Sequence, residues 1–458
     1  MGSRIAIVGA GWAGLACAVE LTGRGHAVTL FEAARIPGGR ARRIDGPHGD
    51  PLDNGQHILI GAYSHTLALM RRIGADPDRL LLRLPLRLRR PDGSGLALPD
   101  LQAPWDVAWG VMRARGWSLR ERLALLRRAA DWRAGGFRCN PGWTVQRLCE
   151  GLPARVVDDL IDPLCVSALN TPITQASATV FLTVLRDALL GPRGSSHLLI
   201  PRQDLGALLP QPACDWLQSR GAQVRLGQRV AALHAASDGP DAGWALEGEG
   251  FDQVVLACPA WEAARLVQGV VHGAAGGGDA AAPLPAPLPA PMPSRLTAGT
   301  LQAWAARASA LQHEAIATVY LQGGSALPHP LLSLRSGPGA PAQFVFDRSQ
   351  LGSPSGLKAF VISASQGDRD TLTAQVLQQA QALGWRDLQP VQTVVEKRAT
   401  FACTPGLQRP GPSIAPGLWA CGDYIDGPYP ATLEGAVRSG LSVAAGVAAG
   451  VAAGVAAQ

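Results

Sequence analysis

An α/β fold of two domains is what this 458-residue sequence predicts, on three observations. The chain is longer than a single hydrophobic core fills, so a second domain is expected. It opens with an apolar strand, a glycine-rich turn, a helix and a second strand, which together mark a parallel βαβ unit. Buried-strand patterns of the same kind return at 251–257 and 417–421, so the parallel-sheet domain is interrupted. The expected architecture is a Rossmann-like nucleotide-binding domain from residues 1–80, 200–265 and 395–458. An α+β domain from 81–199 and 295–394 is inserted into it, and 266–294 form a flexible Ala/Gly/Pro insertion.

Each element has its own signal. Arg4-Ile5-Ala6-Ile7-Val8 reads as a buried strand, residues 12–24 as a helix, and 27–31 (Ala-Val-Thr-Leu-Phe) as the second strand. From 82 to 90 leucine alternates with arginine, a period of two that means one strand with one buried face, and Pro85 sets it at a sheet edge. Pro91-Asp92-Gly93 then turns the chain into 96–98 as a hairpin. Residues 105–133 read as helical and carry Trp105, Trp109, Trp117 and Trp132. Ser118 and Glu121 form a capping box, with Leu119, Leu123, Leu126 and Ala130 on the face expected to pack. Residues 222–234 and 251–257 are expected to return to the first sheet, and 315–321, 343–347 and 358–364 to be strands of the inserted domain. A buried strand at 417–421 precedes a closing helix from 433 onward.

Composition excludes several classes. Apolar residues at 47% and charged ones at 17% rule out a disordered chain. The net charge of +6 is modest, and no Arg/Lys block interleaves with aromatics, so nucleic acid is not an expected partner. The eight cysteines contain no CxxC pair and no Cys/His cluster at zinc spacing, which points to reduced thiols in a cytoplasmic protein and to no metal. The apolar start is similar to a short export signal, but Glu20 interrupts it and its glycines sit at cofactor-loop spacing. The twenty uncharged residues after Arg438 are mostly Ala and Gly, too weakly apolar for a spanning helix.

Gly9-Ala10-Gly11-Trp12-Ala13-Gly14 lies between the first strand and the first helix. Its glycines permit a tight turn and close backbone approach, and the helix start offers N–H groups to a pyrophosphate. Glu32 ends the second strand 18 residues after Gly14, where a carboxylate accepts both ribose hydroxyls of an adenosine and repels a 2′-phosphate. FAD or NAD is therefore expected and NADP is not.

Three later segments separate FAD from NAD. Pro37-Gly38-Gly39-Arg40-Ala41 resembles the Gly-Gly-Arg loop of the amine oxidase and phytoene desaturase superfamily. Leu418-Trp419-Ala420-Cys421-Gly422-Asp423 resembles its second cofactor motif, and Ala431-Thr432-Leu433-Glu434-Gly435-Ala436 follows in the right order. The resemblance implies amine oxidase-like architecture and non-covalent FAD. Its implied contacts are Gly9, Gly11, Trp12, Ala13, Gly14, Glu32, Gly38, Gly39, Arg40, Val230, Gly422, Asp423, Thr432 and Leu433. Asp423 would face the ribityl–pyrophosphate region, and the helix from 433 would turn its positive end to the flavin N1–C2=O edge.

Within that superfamily, Leu52-Asp53-Asn54-Gly55-Gln56-His57-Ile58 and the residues to 63, with the stretches 163–172 and 344–348, resemble the hydroxysqualene dehydroxylases. The likeness covers nearly the whole chain, apart from 273–294 and the repetitive tail. It implies a C30 isoprenoid substrate, hydroxysqualene, which loses an allylic hydroxyl to give squalene as reduced FAD supplies hydride. It also implies that Asp53 and His57 lie near the flavin as catalytic residues, and it leaves the electron donor unnamed.

Two roles stay open for several residues. Asp53 either caps the turn at Asn54-Gly55 or is catalytic, and His57 is either a hydrogen-bonded core histidine or a proton donor. Residues 163–185, 23 positions without a charge, are a core segment or the wall of an apolar tunnel. The segment 105–133, with seven arginines against three acids, is an amphipathic packing pair or lies peripherally on the anionic inner face of a membrane. Rival activities are an oxidative carotenoid- or squalene-type desaturase, an amine oxidase whose lysine would be Lys358 or Lys397, and a non-catalytic isoprenoid carrier. The intact loop 9–14, Glu32 and Gly422-Asp423 argue against the carrier.

Overall fold

The computed structural model describes residues 2–47, 49–235, 243–275, 298–353 and 356–456. Two compact units divide the chain: Met1–Gly39, Leu209–Leu311 and Gln408–Gln458 in the first, Arg40–Leu208 and Gln312–Leu407 in the second. The first unit takes three stretches, but 40–80, 200–208 and 395–407 fall in the second, contrary to the expected boundaries. The reason is strand pairing. Leu59–Ile60 pairs with Leu198–Pro201, and residues up to Phe401 belong to one long strand of the second unit.

In the first unit, six strands line up as Gln223–Leu226, Ala27–Glu32, Arg4–Val8, Gln253–Leu256, Leu418–Ala420 and Ser413–Ala415. The first five are parallel and the last is antiparallel. Ile5, Ala6 and Ile7 of the central strand are fully buried, as a parallel strand covered on both faces requires. The helices Trp12–Gly23 and Leu433–Ala456 press together at Gly440, where a methyl would lie 2.2 Å from the Ala13 carbonyl oxygen. The strand expected at 222–234 is instead two. It ends before Gly227, whose φ of 73° no strand residue adopts, and Leu233–Ala235 joins a separate antiparallel meander with Trp244–Leu246 and Glu249–Phe251. The helix Ala260–Ala275 replaces the first part of the flexible insertion expected at 266–294; the remainder, 276–294, lies outside the described residues.

The second unit holds a five-stranded antiparallel sheet ordered Leu331–Ser333, Phe344–Asp347, Leu357–Ser363, His313–Gly323 and Leu388–Phe401. Strand alternation splits its residues between two cores. Ala317, Val319 and Leu321 pack with Leu372, Val376 and Ala380 of the helix Arg369–Ala382. Tyr320, Ala359 and Val361 pack on the opposite side with Leu88, Leu96 and Leu198. The strand Leu388–Phe401 carries no apolar run and contains Pro390, which an edge position with a register shift accommodates.

Pro85 does more than mark an edge. It cuts the expected strand in two, so Leu81–Leu84 pairs with Leu198–Pro201 while Arg87–Arg89 forms the hairpin with Gly95–Ala97. The helical segment is likewise two helices, Trp105–Met112 and Leu119–Ala134. The capping box is present: the Glu121 N–H donates to Ser118 Oγ at 3.3 Å and the Ser118 N–H to Glu121 Oε2 at 2.7 Å. The leucine face expected to pack is only partly inward, however: Leu126 is half-buried against the core, while Leu119, Leu123 and Ala130 are exposed and Leu125 is buried instead. Arginine explains the rotation. Arg122 donates to the Met112 and Ala114 carbonyls and Arg128 to those of Leu148 and Glu150, hydrogen bonds that leucines cannot make. Among the described residues no helix is long and apolar enough to cross a membrane, and all eight cysteines are free thiols.

Candidate functional site

In the first unit the residues expected to hold the cofactor sit at the carboxyl ends of the parallel strands, where sheets of this kind receive ligands. Two glycines of the first turn answer to the protein itself. Gly9 has φ 116° and a methyl on it would lie 2.7 Å from the Ala257 carbonyl oxygen, while one on Gly14 would lie 2.0 Å from that of Gly9. Gly11 answers to nothing in the protein. Its φ is −73°, open to any residue, and a methyl there would meet no atom within 4 Å. That open space faces the start of Trp12–Gly23, a helix with no side-chain cap and no acid in its first turn. Trp12 and Ala13, its first two residues, are buried.

Gly38 and Gly39 border the same space: the Gly38 N–H donates to the Ala10 carbonyl at 2.8 Å, and a methyl on Gly39 would lie 3.3 Å from Gly11 Cα. Glu32 accepts the Ala10 N–H at 2.7 Å through Oε2 and the Ala34 N–H at 2.8 Å through Oε1. Each oxygen retains a second lone-pair direction, so the carboxylate is held in place and can still take ribose hydroxyls. The open face at Gly11, the uncapped helix start and the held carboxylate together fit the adenosine diphosphate half of a dinucleotide.

The C-terminal motif is built as tightly. The Gly422 N–H donates to Ser439 Oγ at 3.1 Å, and a methyl on Gly422 would lie 2.6 Å from the Tyr424 ring. Asp423 accepts the Ala431 N–H at its carbonyl, 3.2 Å away. Thr432 caps the last helix, accepting the Gly435 N–H and donating to the Tyr429 carbonyl, both at 2.9 Å, and Leu433 is that helix's first residue. Val230 is buried and its carbonyl accepts from Arg265 at 3.3 Å.

Arg40, Asp53 and His57 belong to the second unit. Arg40 Nη1 donates to the Ala399 carbonyl at 2.7 Å, and Asn54 Nδ2 donates both to the Arg40 carbonyl at 2.9 Å and to Glu396 Oε2 at 3.1 Å. Asp53 is 0% exposed; its Oδ1 accepts the Leu205 N–H at 2.7 Å and its Oδ2 lies 3.4 Å from Arg348 Nη1. Burial pushes its carboxyl up to about 6, against the pull of Arg348 and of the Leu205 N–H, with Asp204 adding to the rise. A salt-bridged carboxylate is ordinarily driven down, but at 3.4 Å and with the carboxyl fully buried the cost of dehydration wins.

His57 Nδ1 lies 2.8 Å from the Gly55 carbonyl oxygen, which assigns the proton to Nδ1 and leaves Nε2 an acceptor. Burial holds its pKa below the usual histidine value; the Gly55 bond opposes this and Arg40 adds to it. The imidazole is therefore neutral at pH 7. Held by the Leu205 N–H and facing Arg348, the Asp53 carboxylate pins the residues that lead to His57.

Three partners of this loop, Thr318, Tyr320 and Arg348, carry little signal of their own in the sequence. Thr318 and Tyr320, two apart and so on one face of the strand His313–Gly323, both reach it. The Tyr320 hydroxyl donates to the Asp53 carbonyl at 3.1 Å, and Thr318 Oγ1 accepts the Gln56 N–H at 3.3 Å. Gln56 Oε1 accepts from Arg348 Nη1 at 3.1 Å, so a single guanidinium nitrogen serves Asp53 and Gln56 together. The one hint was that Arg348 ends the distinctive stretch 344–348.

The stretch 163–172 has a comparable account in Asn170. It ends the helix Asp162–Leu169 at φ 46°, with Oδ1 accepting the Ala364 N–H at 2.8 Å and Nδ2 donating to Thr400 Oγ1 at 2.9 Å. Lys358 is buried, donating to the Gly323 carbonyl at 2.7 Å, and Lys397 is exposed. Among the described residues no group of three or more His, Cys, Asp or Glu side chains is placed to hold a metal ion.

Known proteins share this arrangement. The family of flavin containing amine oxidoreductases matches residues 12–448. A hydroxysqualene dehydroxylase of Rhodopseudomonas palustris is 29% identical over 97% of this chain and 98% of its own length. A 15-cis-phytoene desaturase of Synechococcus elongatus is 27% identical over 49% of each chain. Among solved structures, an oxidoreductase from Methanosarcina mazei superposes with a TM-score of 0.67 at 17% identity, covering 96% of this chain and 99% of that one, and so shares the fold. A match across so much of the chain, on a fold and a dinucleotide cradle of the corresponding kind, means that the protein belongs to the flavin-containing amine oxidoreductase family and uses FAD as its cofactor.

Proposed function

We propose that this oxidoreductase reductively removes the allylic hydroxyl of hydroxysqualene, a C30 isoprenoid, to give squalene. The observation that carries the reading is the reach of the similarity. The hydroxysqualene dehydroxylase aligns over 97% of this chain, the phytoene desaturase over 49%. An allylic C–O bond breaks readily because the carbon left behind is part of a delocalised cation. When bound and reduced, FAD supplies the hydride that forms the new C–H bond, while the hydroxyl leaves with a proton as water.

The residues of the chain bind and orient. Gly9, Gly11 and Gly14, with Trp12, Ala13, Gly38 and Gly39, cradle the diphosphate without a covalent link, and Glu32 takes the adenosine ribose. Arg40, Val230, Gly422, Asp423, Thr432 and Leu433 complete the cofactor contacts. Asp53 and Arg348 are positioning residues that fix the loop through Gln56. His57 is the catalytic residue: with Nδ1 engaged by the Gly55 carbonyl, Nε2 takes up a proton from solvent and the resulting imidazolium donates it to the substrate hydroxyl, which leaves as water. Its lowered pKa makes that imidazolium a strong acid.

Similarity to a phytoene desaturase over half the chain favours one second reading, an oxidative desaturase acting on a similar apolar chain. Anaerobic incubation of the protein with dithionite-reduced FAD and hydroxysqualene, followed by mass spectrometry of the lipid extract, separates the two. Squalene forming as the flavin reoxidises is the expected result. Bound FAD with no conversion would move the assignment to the desaturase.

A further inference from the structure

Nine large apolar side chains are exposed among the described residues, and six of them lie between residues 101 and 123. Trp105 is 70% exposed, Leu119 59%, Leu123 52% and Trp109 51%, with Leu101 and Met112 completing the group. Scattered exposed leucines are ordinary; a cluster that includes two open tryptophans is not.

The local structure holds this cluster outward. On the helix Trp105–Met112 the residues Trp105, Trp109 and Met112 recur at i, i+4 and i+7, while Asp106, Gly110 and Val111 are buried on the other side. Gly110 shows how tightly that inner side is seated, since a methyl there would lie 2.5 Å from Leu98 Cδ2. The helix cannot roll to hide its tryptophans. On the next helix, Leu119 and Leu123 face out while Leu125 faces in. Arg122 ties the two helices, donating to the Met112 carbonyl at 2.9 Å and the Ala114 carbonyl at 3.0 Å.

The exposed charges around the cluster are predominantly positive; Asp100, beside Leu101, is paired with Arg193 at 2.9 Å. Arg113, Arg115, Arg120 and Arg127 are exposed, and the Arg113 guanidinium lies 4.5 Å from the Trp109 ring centre. Of the acids in this segment, Asp106 is buried and Glu121 is engaged by Ser118, which leaves Asp131 exposed.

We propose that this face docks on an anionic lipid bilayer, the tryptophans at the level of the headgroups and the arginines on lipid phosphates. Charge complementarity selects that occupant. A second copy meeting this face with its own would set arginines against arginines, whereas a bilayer bearing phosphates takes both the cations and the amphipathic indoles. The two helices lie in the interface, and the proposal is independent of the substrate reading.

The test is co-sedimentation of the FAD-loaded full chain with vesicles rich in phosphatidylglycerol and with pure phosphatidylcholine, at low and high salt. Binding to the anionic vesicles, weak binding to the neutral ones and release by salt are expected. Trp105→Ala with Trp109→Ala lowers the partition coefficient about tenfold or more. Arg120→Gln with Arg127→Gln lowers the preference for anionic vesicles about tenfold. Both pairs keep the flavin absorbance and the activity on detergent-solubilised substrate, which separates loss of docking from failure of the proposed reaction. No sedimentation with either vesicle would overturn the proposal, as would sedimentation that none of these substitutions changes. A dimer in sedimentation velocity that the tryptophan substitutions dissociate would give the face to a second copy instead.

Discussion

Asp53 and Arg348 face each other at 3.4 Å with neither side chain reaching solvent, and they hold together two segments almost three hundred residues apart in sequence. The pair is long for a salt bridge and fully dehydrated, so its members are held by what surrounds them more than by their attraction. The Leu205 N–H fixes the carboxylate, and Gln56 shares the guanidinium.

Breaking this pair from one side strands a buried charge. Arg348→Ala is expected to cost about 3–5 kcal/mol of stability, and Arg348→Met combined with Asp53→Asn much less. Urea unfolding of the two variants and the parent checks this. Equal losses in single and double variants would show that the pairing itself carries little.

Protonation of Asp53 gives stability a pH signature. The folded state holds this proton more tightly than the unfolded chain, since burial raises the carboxyl to about 6. Its contribution is therefore complete below the unfolded value and lost as pH rises through about 6, roughly 3 kcal/mol for a shift of about two pH units. The half-buried neutral His57 acts in the opposite sense, weakening the fold as pH falls below the ordinary histidine value. Subtracting the urea midpoints of Asp53→Asn from those of the parent between pH 4 and pH 7.5 cancels the histidine and isolates the carboxyl. A difference flat across that range would refute the assignment.

Gly11 and Gly14 should fail in different ways. Gly14→Ala places a methyl 2.0 Å from the Gly9 carbonyl oxygen and is expected to destabilise the fold itself. Gly11→Ala meets no protein atom within 4 Å, so the apoprotein should melt nearly as the parent does while FAD content falls at least tenfold. Melting of apoprotein and flavin absorbance of the purified variants read the two effects apart.

His57→Ala is expected to keep its flavin and lose turnover by about a hundredfold, the usual scale for a proton-transfer group. His57→Gln, which restores a hydrogen-bonding group but no titrating nitrogen, should recover substrate affinity and little of the rate. In the parent, activity should fall as pH rises above the depressed pKa of the imidazole, because Nε2 must carry the proton that it gives to the leaving hydroxyl. Full turnover by His57→Ala at normal flavin content would remove the residue from the mechanism.

The cofactor half of the molecule was legible because its chemistry is local. Gly9 to Gly14 and Glu32 lie within one βαβ unit, and their spacing alone sets their geometry. The loop around Asp53 was not, because its partners come from far along the chain and are ordinary residue types: a threonine, a tyrosine and an arginine, of which only the arginine lies in a stretch that the resemblance picks out. The long strand Leu388–Phe401 escaped for a related reason. As an edge strand it tolerates Pro390, Lys397 and Arg398 and shows no apolar run. The outward turn of Leu119 and Leu123 was misread because periodicity tells which residues share a face but not which way the face points.

The strand His313–Gly323 carries three jobs on alternating positions: Ala317, Val319 and Leu321 in one core, Tyr320 in the other, and Thr318 with Tyr320 as tethers of the candidate loop. Because side chains alternate with a period of two, inserting or deleting a single residue upstream of 317 would exchange all of these assignments in one step. Such a change would empty both cores and release Asp53 and Gln56 at once, so chain-length variation should be far less tolerated in this strand than in loops such as Pro91-Asp92-Gly93.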